Sequence, residues 1–459
     1  MGITDFIVFP FYLFLFYLIF YFRRKRYYDP LLRKYHKYGF WIKVLGTIAF
    51  TIFSVYIFPG DSVILYQNEG NDIYHIILKD LSQIKWLFQK GEDFDLSLLK
   101  DLRNAGYYTS EPNFMVIKLV AIFSFVTFGK YMVINLIFSL IAFSGAWKLF
   151  LFFYEQYPRH HKKFAIAILY LPTFVFWSSG ILKDPLCIGA LGWITYTLYQ
   201  IFCRKKGFIK NSILLLFFGY ILATIKVYIL VSYIPFFILF IILKNMQGIR
   251  NKLVKYMIAP LLIAVFVFGF GKVLKSFDDE LSEYGVNHVT ESIKNLNDAI
   301  EAQTGPGAES NFSLGAEFDG SASGLVKIAP IAIATTLFRP FLWESHNFSS
   351  LLAALESLLI MMFTLFVIYK AGIISFIKIT LNDPLIIYCF LFAFVFAWFV
   401  GASTLNFGTL VRYKIPCMPF YLISLFLVYE KVKVKAKVHA VLKTITQTPV
   451  PLQLSSQAC

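Results

Sequence analysis

Long apolar runs separated by short polar segments dominate the amino-acid sequence. Eleven of these runs approach the length that an α-helix needs to cross a bilayer, about 17–25 residues. They lie near residues 5–22, 41–58, 132–153, 164–180, 187–203, 211–225, 227–243, 257–272, 347–369, 384–401 and 414–429, with a tight turn near Lys226. The pattern therefore predicts an all-α integral membrane protein with about eleven transmembrane helices.

Two further apolar runs, 113–129 and 325–341, are better explained as interfacial helices than as spans. With 113–129 in the interface, the basic clusters at 23–43, 159–163, 204–210, 244–255, 370–378 and 431–443 all fall on one side of the membrane. Those clusters hold 26 of the 43 Lys and Arg residues, with only four of the 27 acids in or beside them. By the positive-inside rule, this bias predicts a multi-pass protein of the cell inner membrane with an extracytoplasmic N-terminus and a cytoplasmic C-terminus.

This topology divides the chain into five parts. Residues 1–40 form an extra N-terminal helix and a basic cytoplasmic loop, and residues 41–272 form a transmembrane core with a first extracytoplasmic loop at 60–131. Residues 273–346 form a second extracytoplasmic loop, 347–430 the C-terminal transmembrane helices and 431–459 a basic cytoplasmic tail. The Gly- and Ser-rich middle of the second loop, 304–324, is typical of a mobile lid or of a disordered connector.

Composition supports the membrane assignment and excludes other classes. Hydrophobic residues make up 58% of the chain and charged residues 15%, whereas soluble domains are about 45–50% apolar and about 25% charged. The net charge of +16 is confined to short clusters between apolar runs, which argues against nucleic acid as a partner. The five cysteines show no CxxC spacing, so neither a zinc site nor a disulfide framework is indicated.

The candidate chemistry lies at helix ends predicted to face outward. Acids stand at Asp61, after Pro59-Gly60, and in the short turn Lys183-Asp184; Arg339 and Glu344 precede the ninth span; Arg412, Tyr413 and Lys414 begin the last one. Cations on the outer side depart from the positive-inside trend, and binding of an anionic ligand would explain them. A phosphate suits arginine, because the guanidinium can donate two hydrogen bonds to it at once. For each group a purely structural explanation stands beside this one: a hydrated helix end, a self-neutralised Lys–Asp pair, an interfacial aromatic belt or a snorkelling cation.

In their order along the chain these features resemble the C-type (GT-C) membrane glycosyltransferases, which use polyprenyl-phosphate-linked sugars. Asp61 matches the acid that ends an early span, 113–129 an interfacial helix, and WSSGILKD the later acidic outer turn. The late RYKIPCMPF resembles the Arg-Tyr-x-x-Pro-x-x-Pro stretch of bacterial members and of related polysaccharide-assembly proteins. The chain departs from the pattern in its extra first helix, in Ser62 where an Asp-Glu pair is usual, and in Glu111-Pro112-Asn113 where His-Pro-Pro is usual.

The resemblance implies an inverting sugar transfer on the extracytoplasmic face, within cell-envelope polysaccharide biosynthesis. Asp61 would be the general base on the acceptor hydroxyl, and Arg412, Arg339 and Lys183 would bind the phosphate of the lipid. Asp184 and Glu344 would orient the acceptor, a glycan or a lipid, or a divalent cation acting as cofactor. The remaining substrate-binding candidates are Tyr66, Glu111, Tyr413 and Lys414.

Three alternatives stay open from the sequence. An O-antigen or exopolysaccharide polymerase would use the same outer loops and arginines. A transporter or flippase of lipid-linked oligosaccharides would need charged residues near the bilayer midplane and paired broken helices. A non-catalytic assembly subunit would need only scattered snorkelling cations.

Overall fold

The computed structural model describes residues 3–93, 110–247, 312, 322–345, 348–404 and 406–447, and every regular element in them is helical. The N-terminal half contains α1 (Ile3–Lys25), α2 (Pro30–Ile52), α3 (Asn68–Lys79), α4 (Glu111–Thr127), α5 (Tyr131–Gln156), α6 (His161–Leu169), α7 (Pro172–Trp177), α8 (Lys183–Phe202) and α9 (Phe208–Met246). The C-terminal half contains α10 (Ala322–Phe338), α11 (Phe348–Ala371), α12 (Ile373–Leu381), α13 (Pro384–Ser403), α14 (Phe407–Tyr413) and α15 (Met418–Gln447).

Short π-helical and 3-10 segments connect these helices. Two π-helical segments, Phe53–Ile57 and Ser62–Gln67, flank the Pro59-Gly60 corner. The 3-10 turns are Leu81–Leu87, Gly91–Asp93, Pro158–His160 and Leu342–Glu344.

The described residues contain fewer candidate membrane spans than the sequence predicts. In the described residues six helices are long and apolar enough to cross a membrane, and α14 with α15, bent by 63°, makes a seventh if the pair counts as one span. The six are Ile7–Lys25, Pro30–Ile57, Tyr131–Gln156, Phe208–Met246, Ser350–Ala371 and Pro384–Ser403. The chain is thus a multi-pass, all-helical membrane protein, and the prediction of eleven spans was wrong.

Two of the predicted spans, 164–180 and 187–203, are not among the candidate spans. The run 164–180 is broken before Pro172 into α6 and α7, because proline lacks a backbone N–H and disfavours the helical conformation of the residue before it. The run 187–203 forms α8, whose second half is polar through Thr195, Tyr196, Thr197, Tyr199 and Gln200. The runs 211–225 and 227–243 are the two arms of α9, which is counted above as a single helix, and 257–272 lies outside the described residues.

Neither of the two predicted interfacial helices is among the candidate spans. The first is α4, a 17-residue helix. The apolar part of the second, α10, is Val326–Phe338. The segment 304–324 that the sequence predicts to be a lid lies outside the described residues except for Phe312 and the start of α10.

Helix α9 is broken at Lys226, where φ is −150° and ψ is 74°, at the position of the tight turn predicted from the sequence. Its arms contact α8 on both sides of the break: Phe218 stacks on Trp193, and Lys244 lies over Tyr199. In a straight helix Phe218 and Lys244 would be about 39 Å apart, whereas Trp193 and Tyr199 are only about 9 Å apart along α8. The two arms therefore fold back on one another, with Lys226 at the apex.

Helices α5 and α8 pack backbone to backbone through three glycines. A Cβ on Gly145 would lie 2.1 Å from the carbonyl oxygen of Gly189, and one on Gly192 would lie 2.0 Å from that of Gly145. Small residues allow this approach, which is the usual way for helices to associate in a membrane. The contact fixes α8, and with it the residues at the beginning of α8, against the core of the bundle.

Substituting Gly145→Ala is expected to lower the free energy of unfolding by about 1–3 kcal/mol, since the added methyl group forces two backbones apart. Gly219→Ala in α9 is the matched control, because a Cβ there meets no atom within 4 Å. Alanine is the better helix former by about 1 kcal/mol, so the control is expected to be neutral or stabilising. Thermal unfolding in detergent measures both variants, and equal melting temperatures would contradict the close contact.

The turn between α7 and α8, residues 178–182, is buried. Lys43 Nζ donates to the carbonyl oxygen of Ser178 at 2.8 Å, and the Ile181 amide donates to Asn135 Oδ1 at 2.8 Å. Non-helical backbone at membrane depth needs such internal partners, because no water is available to it. Ser139, which bonds Ser179 at 3.2 Å, lies about 12 Å along α5 from Tyr131, so the turn enters the bundle rather than lying on its surface.

Candidate functional site

Four charged side chains from distant parts of the chain meet beside this buried turn, and we call them the Arg412 cluster: Asp61, Asp184, Lys226 and Arg412. Asp61 follows the Pro59-Gly60 corner at the end of α2, and Asp184 lies in the first turn of α8. Lys226 is at the apex of α9, and Arg412 is in the last turn of α14. Because each lies at a helix end or break, the bundle gathers them in one place.

The four side chains form a row in which positive and negative charges alternate, in the order Lys226, Asp184, Arg412 and Asp61. Lys226 Nζ lies 2.7 Å from Asp184 Oδ1, and Arg412 Nε lies 3.4 Å from Asp184 Oδ2. The other side of the guanidinium reaches Asp61, with 3.9 Å between Nη1 and Oδ2. Arg412 thus lies between the two carboxylates that the sequence singles out.

The exposed fraction of the four side chains increases from Asp184 and Lys226 to Arg412 and then to Asp61. The side chains of Asp184 and Lys226 are 3% and 7% exposed, that of Arg412 is 24% exposed and that of Asp61 is 47% exposed. The buried end is a fixed ion pair, since separating its members would leave an uncompensated charge. The open end, Arg412 and Asp61, is where a substrate can reach the cluster.

The electrostatics favour a charged cluster with an excess of positive charge. Burial tends to raise the pKa of Asp184, but Lys226 and Arg412 together outweigh burial and hold the pKa below its ordinary value. The pKa of the neighbouring Lys183 is lowered to about 8, mainly by burial and secondly by repulsion from Lys226. With Lys183 included, three cations face two carboxylates, which suits an anionic ligand.

Aromatic side chains frame the cluster. Lys226 Nζ lies 4.2 Å from the ring centre of Tyr413, and the guanidinium of Arg412 lies 5.5 Å from that of Trp177. Tyr66 is buried nearby and donates to Asn113 Oδ1 at 3.0 Å. Its pKa is raised by burial and by Asp61, so its hydroxyl stays protonated as a donor.

Arg339 and Glu344 pair with one another beside α14. Arg339 Nε lies 3.0 and 3.1 Å from the two oxygens of Glu344. The guanidinium also lies 4.4 Å from the ring centre of Phe312 and 5.1 Å from that of Phe407, at the beginning of α14. This pair is therefore connected through α14 to Arg412 at the other end of that helix.

The structure places two of the remaining predicted residues on other partners. Lys414 is only 2% exposed and donates to the Arg339 carbonyl and to Ser357 Oγ, each at 2.9 Å. Glu111 forms a 3.0 Å ion pair with Lys118 at the beginning of α4. Tyr413 contributes the face of its ring to Lys226, as described above.

Sequence reasoning missed Lys226 and Trp177. Lys226 is the single charge between two long apolar runs, a signal that was available, since an ionisable residue inside such a stretch marks a functional or structural partner. Trp177 begins the motif that contains Asp184 but carries no charge to single it out. Their contacts with the cluster depend on the fold of α9 and on the buried turn, which sequence spacing does not specify.

The cluster does not fit a divalent cation. In the part of the chain that the structure describes, no group of three or more His, Cys, Asp and Glu side chains is close enough to hold a metal ion. Asp184 directs its two oxygens at Lys226 and Arg412, and Arg412 occupies the space between the two acids. The arrangement suits an anion that approaches Arg412 far better than a metal ion between the carboxylates.

Fold and site together define a multi-pass helical membrane protein with a partly exposed, cationic cluster at its helix ends. No protein-family model, no curated protein and no solved structure matches the chain. The function must therefore be argued from the cluster itself.

Proposed function

We propose that the protein is an inverting, C-type membrane glycosyltransferase that moves a sugar from a polyprenyl-phosphate carrier to an acceptor glycan or lipid. The reaction takes place on the extracytoplasmic face of the inner membrane, the side that the positive-inside bias assigns to Asp61 and Arg412. One observation carries the proposal: the Arg412 guanidinium lies 3.4 Å from Asp184 and 3.9 Å from the half-exposed Asp61. A phosphate-binding cation and a reachable carboxylate are thus adjacent.

Arg412 is the group that holds the phosphate. Its Nε faces Asp184, which fixes the plane of the guanidinium, and its contact with exposed Asp61 is long and therefore weak. A phosphate can replace Asp61 at this side of the fork and accept two hydrogen bonds at once. Lys183 adds a second cation at the beginning of α8.

Asp61 is the general base. The acceptor hydroxyl attacks C1 of the sugar from the face opposite the phosphate, and its proton passes to the Asp61 carboxylate. The bond between C1 and the phosphate oxygen breaks, and the electron pair leaves with the phosphate, where Arg412 and Lys183 stabilise the added charge. A single displacement of this kind inverts the configuration at C1.

A polymerase of O-antigen or exopolysaccharide repeats would use the same groups with a growing glycan as acceptor. The length of the product distinguishes the two: a transferase adds one sugar, and a polymerase produces a ladder of repeats.

The second candidate class, a flippase of lipid-linked oligosaccharides, is favoured by one observation. Lys43 is buried near the middle of the span Pro30–Ile57, and within the described part of the chain its Nζ contacts neutral oxygens, those of Val175, Ser178 and Ser179. A buried charge of this kind can mark a transport pathway. Yet Lys43 lies at the C-terminal carbonyls of α7, where a cation stabilises a helix end, so its position has a structural explanation.

The test is a transfer assay with the full-length protein reconstituted in liposomes. A panel of polyprenyl-phosphate-linked radiolabelled hexoses is supplied with a glycolipid extract as acceptor. We expect label in the acceptor from a polyprenyl-phosphate donor and none from nucleotide-linked sugars. Movement of the labelled lipid across the bilayer without transfer would instead support the flippase, and the absence of both would contradict the proposal.

A further inference from the structure

We propose that Lys226 is a positioning residue that neutralises Asp184, so that Arg412 keeps its positive charge for an anionic ligand. The inference rests on the proposed function, because it concerns the same phosphate site. It goes further in assigning the affinity of that site to a side chain that touches no substrate.

The carboxylate of Asp184 is shared between two cations. Asp184 Oδ1 faces Lys226 at 2.7 Å, and Oδ2 faces Arg412 at the longer distance of 3.4 Å. The shorter contact is also the more buried one, so Asp184 interacts more strongly with Lys226. The three residues together carry one net positive charge, which is located at Arg412, the most exposed of them.

Without Lys226, the Arg412 cluster would lose the cation that neutralises Asp184. Asp184 would then neutralise Arg412 alone, and the pair would have no net charge to offer a phosphate. Asp184 cannot escape this role by taking up a proton, because Arg412 would still hold it ionised. The affinity for an anion would fall although Arg412 itself is intact.

The bend of α9 places the Lys226 ammonium beside Asp184. Lys226 is the one residue of α9 with a non-helical backbone, and both arms of α9 run along α8 away from it. The bend therefore brings Nζ to the first turn of α8, where Asp184 lies, and the Tyr413 ring covers its other side at 4.2 Å. Tyr413 directly follows Arg412, so the same contact ties Lys226 to the helix end that bears the guanidinium.

The test measures the binding of farnesyl phosphate, a short polyprenyl monophosphate, to the full-length protein in nanodiscs. Lys226→Met is expected to bind about tenfold more weakly, and Lys226→Arg, which keeps the charge, to bind like the native protein. The double variant Lys226→Met/Asp184→Asn restores the net charge of the three positions and is expected to recover most of the affinity. Lys148→Met is the control, since Lys148 is a partly buried lysine that lies over Trp193 and Tyr196 instead.

The outcomes separate this inference from the proposed function. If the native protein does not bind farnesyl phosphate, the proposed function fails and not only the role of Lys226. If the native protein binds but Lys226→Met binds equally well, or if the double variant stays as weak as Lys226→Met, the positioning role is wrong. Should Lys226→Met not fold, Lys226→Gln takes its place, since it removes the charge and keeps a polar group, and unchanged affinity in that variant would overturn the inference.

Discussion

Substituting Asp61→Asn is expected to lower the rate of sugar transfer by about 10²–10⁴-fold, the usual contribution of a general base. Asn has nearly the same shape but cannot accept the proton of the acceptor hydroxyl. The fold should tolerate the change, because the Asp61 side chain is half exposed and makes no capping hydrogen bond to the helix that follows it. Its 3.9 Å contact with Arg412 contributes little at such exposure.

Asp80→Asn is the matched control, in the same predicted loop. Asp80 caps the Leu81–Leu87 turn by accepting a hydrogen bond from the Ser82 amide at 3.0 Å. Asn is an equally good cap, so this variant should transfer sugar at the native rate. Initial rates are compared at equal amounts of folded protein in liposomes. An Asp61→Asn variant with undiminished product would remove Asp61 from the mechanism.

The class of the protein and the core of the site could be predicted from the sequence. Apolar runs and the clustering of basic residues are enough for a multi-pass helical protein. Asp61, Asp184 and Arg412 could be singled out because a charge beside an apolar run has to lie at a helix end or a polar cavity. In the structure Arg412 Nε lies 3.4 Å from Asp184 Oδ2, and Arg412 Nη1 lies 3.9 Å from Asp61 Oδ2.

The number of spans could not be predicted, because an apolar run has the same composition whether it faces lipid or other helices. α6, α7 and α8 are largely covered by the bundle, and the break before Pro172 is a local event inside a long apolar stretch. The cation at the break of α9 is a related case. Lys226 was visible as a turn, but its partner Asp184 is 42 positions earlier in the chain.

The partners of the other cations also could not be predicted. Arg339 and Lys414 are cations near a helix mouth in the sequence, which favours a ligand. In the structure Arg339 is paired with Glu344, and Lys414 is buried against Ser357. Of these three cations, Arg412 is the one that combines partial exposure with a long, weak contact to an acid. Sequence spacing does not show how exposed a cation is or how long its contact is.

Substituting Arg412→Ala is expected to weaken the binding of a polyprenyl phosphate by about 30–900-fold. Two hydrogen bonds from a guanidinium to a phosphate are lost, at a combined cost of about 2–4 kcal/mol. Arg412→Lys keeps the charge but not the fork, so its affinity should be intermediate. Arg204→Ala is the matched control, since Arg204 pairs with Glu155 at 3.3 Å outside the cluster.

The dissociation constant of farnesyl phosphate, measured for the native protein and these three variants in nanodiscs, tests the central claim most directly. Native affinity is expected in Arg204→Ala, an intermediate value in Arg412→Lys and a loss of about 30–900-fold in Arg412→Ala. Farnesol, which lacks the phosphate, should not distinguish the four proteins. Equal affinity for farnesyl phosphate in the native protein and in folded Arg412→Ala would contradict a phosphate site at Arg412.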